Sequence, residues 1–178
     1  MNGEKLSDAR LEIFLAKQEI KELACRYSRG LDRLDAELLH SVFFEDAYCE
    51  YGFYNGPPAA FIEFAMIALQ DHAANHHMIG NVLIEVEGDE AFGEVYFNAY
   101  HKVPAESGFE DVTIAGRYLD RYEKRDGVWK IAYRSERNDW SRTEPTNDPY
   151  FEQAPDGLRG SRQDDAVYDL EARRRKPA

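Results

Sequence analysis

At 178 residues the chain is long enough for one substantial hydrophobic core and too short for two, so we expect one domain with a tail. Its 34 acidic side chains outnumber 22 basic ones, and the formal charge of -12 argues against binding to the phosphates of nucleic acid. The two cysteines, Cys25 and Cys49, have no paired spacing, which argues against a disulfide framework or a metal knuckle and favours a reducing compartment.

The first residues, Met1 to Lys5, lack the apolar core of a signal peptide, and no apolar run approaches the length of a membrane span. We therefore expect a soluble, cytoplasmic protein with no membrane partner. Aromatic residues make up 13% of the chain and include eleven tyrosines. This content suits a cavity lined by rings with polar tips, although tyrosines exposed on the surface would account for the same number.

The N-terminal third is predicted to be helical. Apolar residues recur at helical spacing from Ser7 to Arg29, with charged residues on the other face. Gly30 is predicted to end this helix, because glycine accepts the left-handed conformation that terminates helices. Asp35 then stands at the N-cap position of a second, shorter helix over Ala36 to Phe44.

The central part of the chain alternates between strand and helix patterns. Tyr48 to Phe53 reads as a first strand, ended by a turn rich in Pro and Gly. Ala59 to Ala73 carries apolar residues at helical spacing and is predicted to be a third helix. Long antiparallel strands follow, joined by two compact turns and by a looser loop over Pro104 to Glu110. These strands are predicted over Asn75 to Val86, Ala91 to Val103, Asp111 to Tyr122 and Val128 to Trp140.

This order, helices first and a long meander afterwards, is typical of an α+β fold. From Ser141 onward Pro, Gly, Asp and Arg dominate, with one possible short turn at Val167 to Glu171 and a loose basic end at Arg173 to Lys176. We therefore expect residues 1–140 to form the domain and residues 141–178 an extended C-terminal tail, packed over the domain or over a neighbouring subunit.

Two short segments supply groups that a hydrocarbon core would not prefer: Tyr27-x4-Asp32 at the end of the first helix, and His77-x3-Asn81 at the start of a strand. A helix lying against a curved sheet would bring Asp32 and His77 within hydrogen-bonding reach. A carboxylate on one ring nitrogen would leave the other as a proton acceptor, which is the arrangement of a general base. His76 points to the opposite face of the same strand by the two-residue period.

Each of these residues also has an ordinary structural explanation. Asp32 follows Gly30, where aspartate often bonds the backbone of a turn, and His77 alone would more often be a satisfied histidine of a sheet. Tyr27 fits the plain core nearly as well as a site, and His40 and His72 are expected to face solvent. His72, His76 and His77 do not read as a metal cluster, because alternation separates two of them and no suitable cysteine or carboxylate joins them. We therefore expect neither a metal nor another cofactor.

The same two segments resemble the SnoaL-like branch of the nuclear transport factor two-like superfamily. So does the later segment Gly116-Arg117-Tyr118-x-Asp120-x-Tyr122-Glu123-x-Arg125-Asp126-Gly127-Val128-Trp129-Lys130. The resemblance covers roughly residues 10–140. Within that branch the chain is most similar to the group containing scytalone dehydratase, hexachlorocyclohexane dehydrochlorinase and bile-acid 7α-dehydratase.

The resemblance implies a cone-shaped barrel, in which a curved, mostly antiparallel sheet wraps around N-terminal helices and encloses a deep pocket. It implies a catalytic Asp32–His77 dyad with Tyr27 as a catalytic pocket tyrosine. It further implies substrate contacts from Tyr51, from His101 as a second histidine, and from an arginine near the last strands. Three arginines compete for that last role, Arg117, Arg134 and Arg137, and Arg117 is the one assigned to substrate binding.

The function expected from these features is a cofactor-independent lyase, a dehydratase or related β-eliminating enzyme acting on a cyclic hydrophobic molecule such as a steroid, polyketide or aromatic precursor. An isomerase or polyketide cyclase with the same base stays open, because each reaction begins by proton abstraction. So do a non-catalytic ligand-binding protein and a dioxygenase small subunit, since the fold fixes no reaction. Apolar residues of the outer sheet face, Phe92, Tyr96 and Tyr133, favour a homo-oligomer, and the resemblance favours a trimer over a dimer.

Overall fold

Helices and strands follow one another in the predicted order in the computed structural model, which describes residues 8–162, 164–169 and 174. The helices within these residues are α1 (Asp8–Arg33), α2 (Ala36–Val42), α3 (Pro58–Gln70) and the short α4 (Tyr150–Gln153). The six strands are β1 (Phe43–Glu50), β2 (Asn55–Gly56), β3 (Ala74–Glu87), β4 (Glu90–Ala105), β5 (Gly108–Arg125) and β6 (Val128–Pro145).

The strands form one curved sheet in the order β2-β1-β6-β5-β4-β3. All neighbours are antiparallel except β1 and β6, which run parallel. The α+β class and the cone-like fold are therefore confirmed, with one qualification: the sheet is open, because β2 and β3 form its two edges and do not pair with each other.

The hydrophobic core lies between the helices and the concave face of the sheet. It combines fully buried side chains from α1, α2, α3 and the long strands, among them Ile20, Leu39, Ile62, Val95 and Ile131. The long helix α1 packs along β3, so it covers an edge whose backbone would otherwise be free to pair with another chain. No helix in the described ranges has the length and apolar character needed to cross a membrane.

The end of α1 differs from the prediction. The helix continues through Gly30 to Arg33, and Leu34 adopts the left-handed conformation with φ of 54°. The amide of Asp35 donates to the carbonyl of Gly30 at 2.8 Å and that of Leu34 donates to Leu31 at 3.3 Å, which is the Schellman pattern of a helix end. Gly30 is needed for close packing instead, since a Cβ there would lie 2.6 Å from Leu39 Cγ.

Other boundaries shift by a few residues. Asp35 caps α2 as predicted, accepting from the amide of Leu38 at 2.9 Å. However, α2 ends at Val42, and β1 takes Phe43–Glu50 where a strand over Tyr48 to Phe53 was predicted. The predicted loose loop after β4 is a tight turn, because β4 continues to Ala105 and β5 starts at Gly108, whose positive φ of 84° suits a turn glycine.

The C-terminal segment packs back onto the domain near the end of α1. Arg33 donates to the carbonyl of Ser161 at 2.8 Å, and the hydroxyl of Tyr168 donates to Asp35 at 2.8 Å. The first residues of the predicted tail, up to Pro145, belong to β6. The predicted turn reaching Glu171, most of the basic end at 173–176, and the Ser7 start of the first helix lie outside the described residues.

Candidate active site

Asp32 and His77 lie in direct contact, as the spacing predicts. His77 Nδ1 donates to Asp32 Oδ1 at 2.7 Å, and the backbone amide of His77 donates to both carboxylate oxygens at 3.0 and 3.1 Å. Both side chains are largely buried, with 13% of Asp32 and 7% of His77 exposed. Because Nδ1 donates to the carboxylate in this arrangement, Nε2 is left as an acceptor whenever the ring is neutral.

The sheet edge explains why the carboxylate sits there. β3 is an edge strand, so the amide of His77 that faces away from β4 has no strand partner. Asp32, the penultimate residue of α1, supplies the missing acceptor. Burial of Asp32 favours its neutral form, but the hydrogen bonds and the charge of His77 outweigh burial and hold the pKa of this carboxyl below its usual value. Asp32 is therefore ionised at neutral pH and anchors the imidazole.

His77 forms part of the wall of a cavity of about 290 Å³ that opens between α1, α3 and the concave face of the sheet. Most of the wall is hydrocarbon or aromatic, from side chains that include Leu31, Phe61, Phe64, Leu69, Phe97, Ala99, Val112 and Ile114. A few polar groups converge on it: Tyr27, His72, His77, His101, Tyr118 and Glu136. A mostly apolar cavity with few polar groups is typical of a site for a small molecule.

A second imidazole, His101, stands edge-on to His77 with ring centroids 5.2 Å apart. The Asn75 amide is satisfied when its nitrogen faces the imidazoles, donating to His101 Nδ1 at 2.9 Å and His72 Nδ1 at 2.8 Å. Its oxygen then accepts from Arg162 Nη1 at 2.8 Å. Burial, followed by the neighbouring His77 and His72, lowers the pKa of His101 to about 4, so the ring is neutral with its proton on Nε2.

The two predicted tyrosines stand one behind the other. Tyr27 lines the cavity, and its hydroxyl shares a hydrogen bond of 3.0 Å with the hydroxyl of Tyr51. Tyr51 is itself buried and packs on Phe61, at 4.2 Å between ring centroids, outside the lining of the cavity. Tyr51 is thus placed to orient Tyr27, which corrects the expectation that it contacts the substrate directly. Burial raises the pKa of both phenols, so both keep their protons.

Arg117, the arginine assigned to substrate binding, lies on the outer face of the sheet. Its guanidinium donates to Glu94 at 2.8 Å and to Asp139 at 3.1 and 3.2 Å, away from the cavity. The assignment is therefore corrected, because neighbouring residues of β5 face opposite sides and the inward position belongs to Tyr118.

Of the three arginines that competed for the substrate-binding role, Arg134 is the one that packs against the cavity wall, and it is fully buried. It makes a two-pronged ion pair with Asp120, at 2.7 and 2.8 Å, and its guanidinium stacks between the rings of Tyr27 and Tyr118 at 4.2 and 4.0 Å. Arg134 thus supports the wall that carries Tyr27, while the bond to Asp120 occupies two of its nitrogens.

Two residues of the wall were not found from the sequence. His72 was expected in solvent, yet it follows α3 directly and lines the cavity. Glu136 on β6 was not among the predicted site residues. The two-residue period of a strand places it on the same inward face as Arg134. Among residues 8–162, 164–169 and 174, no three His, Cys, Asp or Glu side chains are grouped so that they could hold a metal ion.

Comparison with known proteins agrees with this architecture. Residues 12–135 match the model of the SnoaL-like domain. The chain belongs to the SnoaL-like family. A search of curated proteins finds no match.

Solved structures with the same fold include enzymes. A hexachlorocyclohexane dehydrochlorinase, LinA-type3 from Novosphingobium barchaimii, is 21% identical with a TM-score of 0.69, over 77% of this chain and 95% of that one. A provisionally assigned scytalone dehydratase from Novosphingobium aromaticivorans is 23% identical with a TM-score of 0.67, over 80% and 94%. A Mycobacterium tuberculosis protein of unknown function is 28% identical with a TM-score of 0.63, over 77% and 78%.

The buried ion pair under the site generates a prediction about stability. Replacing Arg134 by methionine keeps much of the side-chain volume but leaves Asp120 charged and unpaired at a site with no solvent exposure. We expect the free energy of unfolding to fall by about 3–5 kcal/mol, measured by urea denaturation.

The matched control is Arg117→Met, which removes an arginine that also bonds two carboxylates but is 30% exposed. Solvent screening should keep that loss below about 1 kcal/mol. Equal losses in the two variants, or a loss below about 1 kcal/mol in Arg134→Met, would show that the buried pair does not support the wall.

Proposed function

We propose that this protein is a cofactor-independent lyase that eliminates a leaving group β to an acidic C–H bond of a small, cyclic, hydrophobic molecule. The observation that carries the proposal is the 2.7 Å contact between Asp32 and His77 at the wall of an apolar cavity. A carboxylate–imidazole pair at the wall of an apolar cavity is an arrangement found at functional sites, and proton abstraction is the chemistry that this geometry fits.

His77 is the base in this proposal. Asp32 fixes the tautomer through Nδ1, so Nε2 faces the substrate without a proton and removes the acidic hydrogen. The imidazolium that forms is stabilised by the adjacent carboxylate, which stays ionised. A positioned base of this kind contributes about 10² to 10⁴-fold to a rate.

The negative charge that develops on the substrate needs hydrogen-bond donors. His101 offers Nε2–H, since its Nδ1 already accepts from Asn75, and Tyr27 offers its hydroxyl. Both groups are neutral donors that do not lose a proton near neutral pH, as a site for an enolate oxygen requires. The apolar remainder of the wall favours an uncharged ring system as substrate.

The mechanism predicts an order of effects on kcat/KM. His77→Ala should lower it by about 10² to 10⁴-fold because the base is gone, and Asp32→Asn should also lower it strongly because an amide does not stabilise an imidazolium. Tyr27→Phe removes one donor and should cost about tenfold. The assay is elimination from cyclic compounds found by screening hydroxylated and halogenated ketones.

His76→Ala is the matched control, because this neighbouring histidine is exposed on the other face of β3 and should leave the rate unchanged. A chelator should also have no effect on the wild-type rate. Full activity in His77→Ala, or activity removed by the chelator and restored by a divalent metal, would contradict the proposed mechanism.

We also propose that the protein is a homo-oligomer, with a trimer favoured over a dimer. Leu83, Phe92 and Leu119 on the outer face of the sheet are 63%, 43% and 37% exposed and surround a shallow depression together with Tyr133. Contiguous apolar side chains of this kind usually mark an interface.

Light scattering tests this proposal directly. The wild-type protein should show the mass of three chains at micromolar concentration, and Phe92→Arg should shift it to the mass of one by placing a charge in the interface. Ile67→Arg, which alters an apolar side chain of α3 that is 67% exposed, should keep the wild-type mass. A monomeric wild-type protein would overturn the proposal.

A further inference from the structure

The proposed elimination leaves one chemical task unassigned, namely what becomes of the leaving group. A halide departs as a stable anion, whereas a hydroxyl group departs readily only when an acid protonates it. The polar groups that line the cavity are the candidates for that acid. Apart from the proposed base, they are Tyr27, His72, His101, Tyr118 and Glu136.

Most of these candidates are weak acids in this environment. His101 is neutral over the physiological range, since burial lowers its pKa to about 4, and it then offers only the N–H of a neutral ring. His72 also accepts from Asn75 through Nδ1, so it too presents a neutral N–H. Burial raises the pKa of Tyr27 and Tyr118, which makes both phenols reluctant to release a proton. They are suited to donating hydrogen bonds and poorly suited to giving a proton away.

Glu136 differs from the others. It lies on β6 directly opposite Tyr118 of β5, is half-buried, and within the described ranges is the single carboxyl group lining the cavity. Arg134, two residues earlier, bonds Asp120 through two of its nitrogens, and its third nitrogen has no hydrogen-bond partner among the described residues. No described basic side chain forms an ion pair with Glu136. A carboxyl group facing an apolar space without a cationic partner favours its protonated form.

The electrostatic surroundings of Glu136 agree with this geometry. Burial is the largest effect and raises the pKa of Glu136 above its usual value, while Asn138, Arg134 and His77 partly offset it. The remaining groups that face it, Tyr27 and Tyr118, are uncharged phenols. The cavity thus holds two groups with opposite tendencies, a histidine placed to accept a proton and a carboxyl group that holds its proton more tightly than usual.

We propose that Glu136 is the catalytic acid of this site, giving its proton to a departing hydroxyl oxygen, and that the substrates are therefore cyclic β-hydroxy ketones in preference to β-halo ketones. This inference rests on the proposed elimination at His77. It deepens that function by naming the leaving group and a second catalytic residue on another wall of the cavity.

The proton balance closes without any further reactant. His77 Nε2 takes the proton from the carbon next to the carbonyl, and the C–H electron pair forms the enolate. The enolate collapses to a C=C bond as the C–O bond breaks, and Glu136 protonates the departing oxygen to give water. One imidazolium and one carboxylate remain, and a single proton passing from His77 to Glu136 through solvent restores both groups.

The experiment compares two leaving groups in the same ring system. A bicyclic β-hydroxy ketone and its β-chloro counterpart are assayed with the wild-type protein, Glu136→Gln, His77→Ala and Glu144→Gln. Glu136→Gln should lower kcat/KM for the hydroxy ketone by about 10² to 10³-fold, because the amide has no acidic proton, and for the chloro ketone by less than about threefold. Glu144→Gln, the same change at an exposed residue of β6, should alter neither rate.

The two proposals fail in different ways in this assay. His77→Ala should lower turnover of both compounds by about 10² to 10⁴-fold, and full turnover of both in that variant would contradict the base and not the acid. A loss in Glu136→Gln that is equal for the two leaving groups, or no loss for either, would overturn the assignment of Glu136 while leaving His77 as the base.

A pH profile gives a readout that a merely structural role would not change. The wild-type rate with the hydroxy ketone should fall as pH rises through the pKa of Glu136, and this decline should be absent in Glu136→Gln, whose residual rate is flat over the same range.

Thermal stability provides a check without substrate. A carboxyl group with a raised pKa stabilises the fold at low pH and loses that contribution as pH rises through its folded pKa, so Glu136→Gln should gain in Tm relative to wild type from acid to neutral pH. A constant difference in Tm would contradict the raised pKa.

Discussion

The contact between Asp32 and His77 is the interaction on which the site depends. It stabilises the junction between a helix and the sheet, and it orients the imidazole. The Asp32 carboxylate closes an open edge of the sheet by accepting the free amide of His77, and it fixes the ring through Nδ1. The same contact joins the end of α1 to the start of β3, two segments separated by 45 positions in the chain. The imidazole of His77, the proposed base, is therefore held by a helix and a strand and not by a flexible loop.

The C-terminal segment reinforces this junction from behind. Arg162 donates to the carbonyl of Asp32 at 3.1 Å and to that of His72 at 2.7 Å, so one side chain satisfies a carbonyl at the end of α1 and another just after α3. Its bond to the oxygen of Asn75 turns the amide nitrogen toward His72 and His101. The segment after β6 therefore helps to decide which nitrogen of each imidazole carries the proton.

Much of the fold could be predicted because its signals are local. Helical periodicity, the Asp35 cap and the compact turns between strands depend on neighbouring residues, and those elements appear with shifts of a few residues. Gly30 was misread because its requirement is a tertiary contact with Leu39, which no local pattern reveals. The contact between Asp32 and His77 was predictable because a helix packed against the sheet must cross its first long strand. This holds whether the helix ends at Gly30 or at Arg33.

The inward and outward faces of the last strands were harder to predict. Register shifts between Ala115 and Gly116 and between Arg121 and Tyr122 change which residues of β5 and β6 lie opposite one another. The extra residues are Ala132 and Asp139 of β6, so a sequence does not show the phase of alternation along β6. The assignment of Arg117 rested on the family resemblance, in which three arginines competed, and Glu136 was not among the predicted site residues. The burial of Glu136 is due to residues that are distant from it in the sequence, so it cannot be inferred from the sequence of β6 alone.

The most direct test of the central claim is the protonation pattern of the His77 ring, observed by ¹⁵N NMR of histidine-labelled protein in mildly alkaline solution. The account predicts a neutral ring with its proton on Nδ1 and an unprotonated Nε2, and loss of this fixed pattern in Asp32→Asn. A His77 ring with its proton on Nε2, or one whose pattern is the same in Asp32→Asn, would contradict the claim that Asp32 prepares His77 to act as a base.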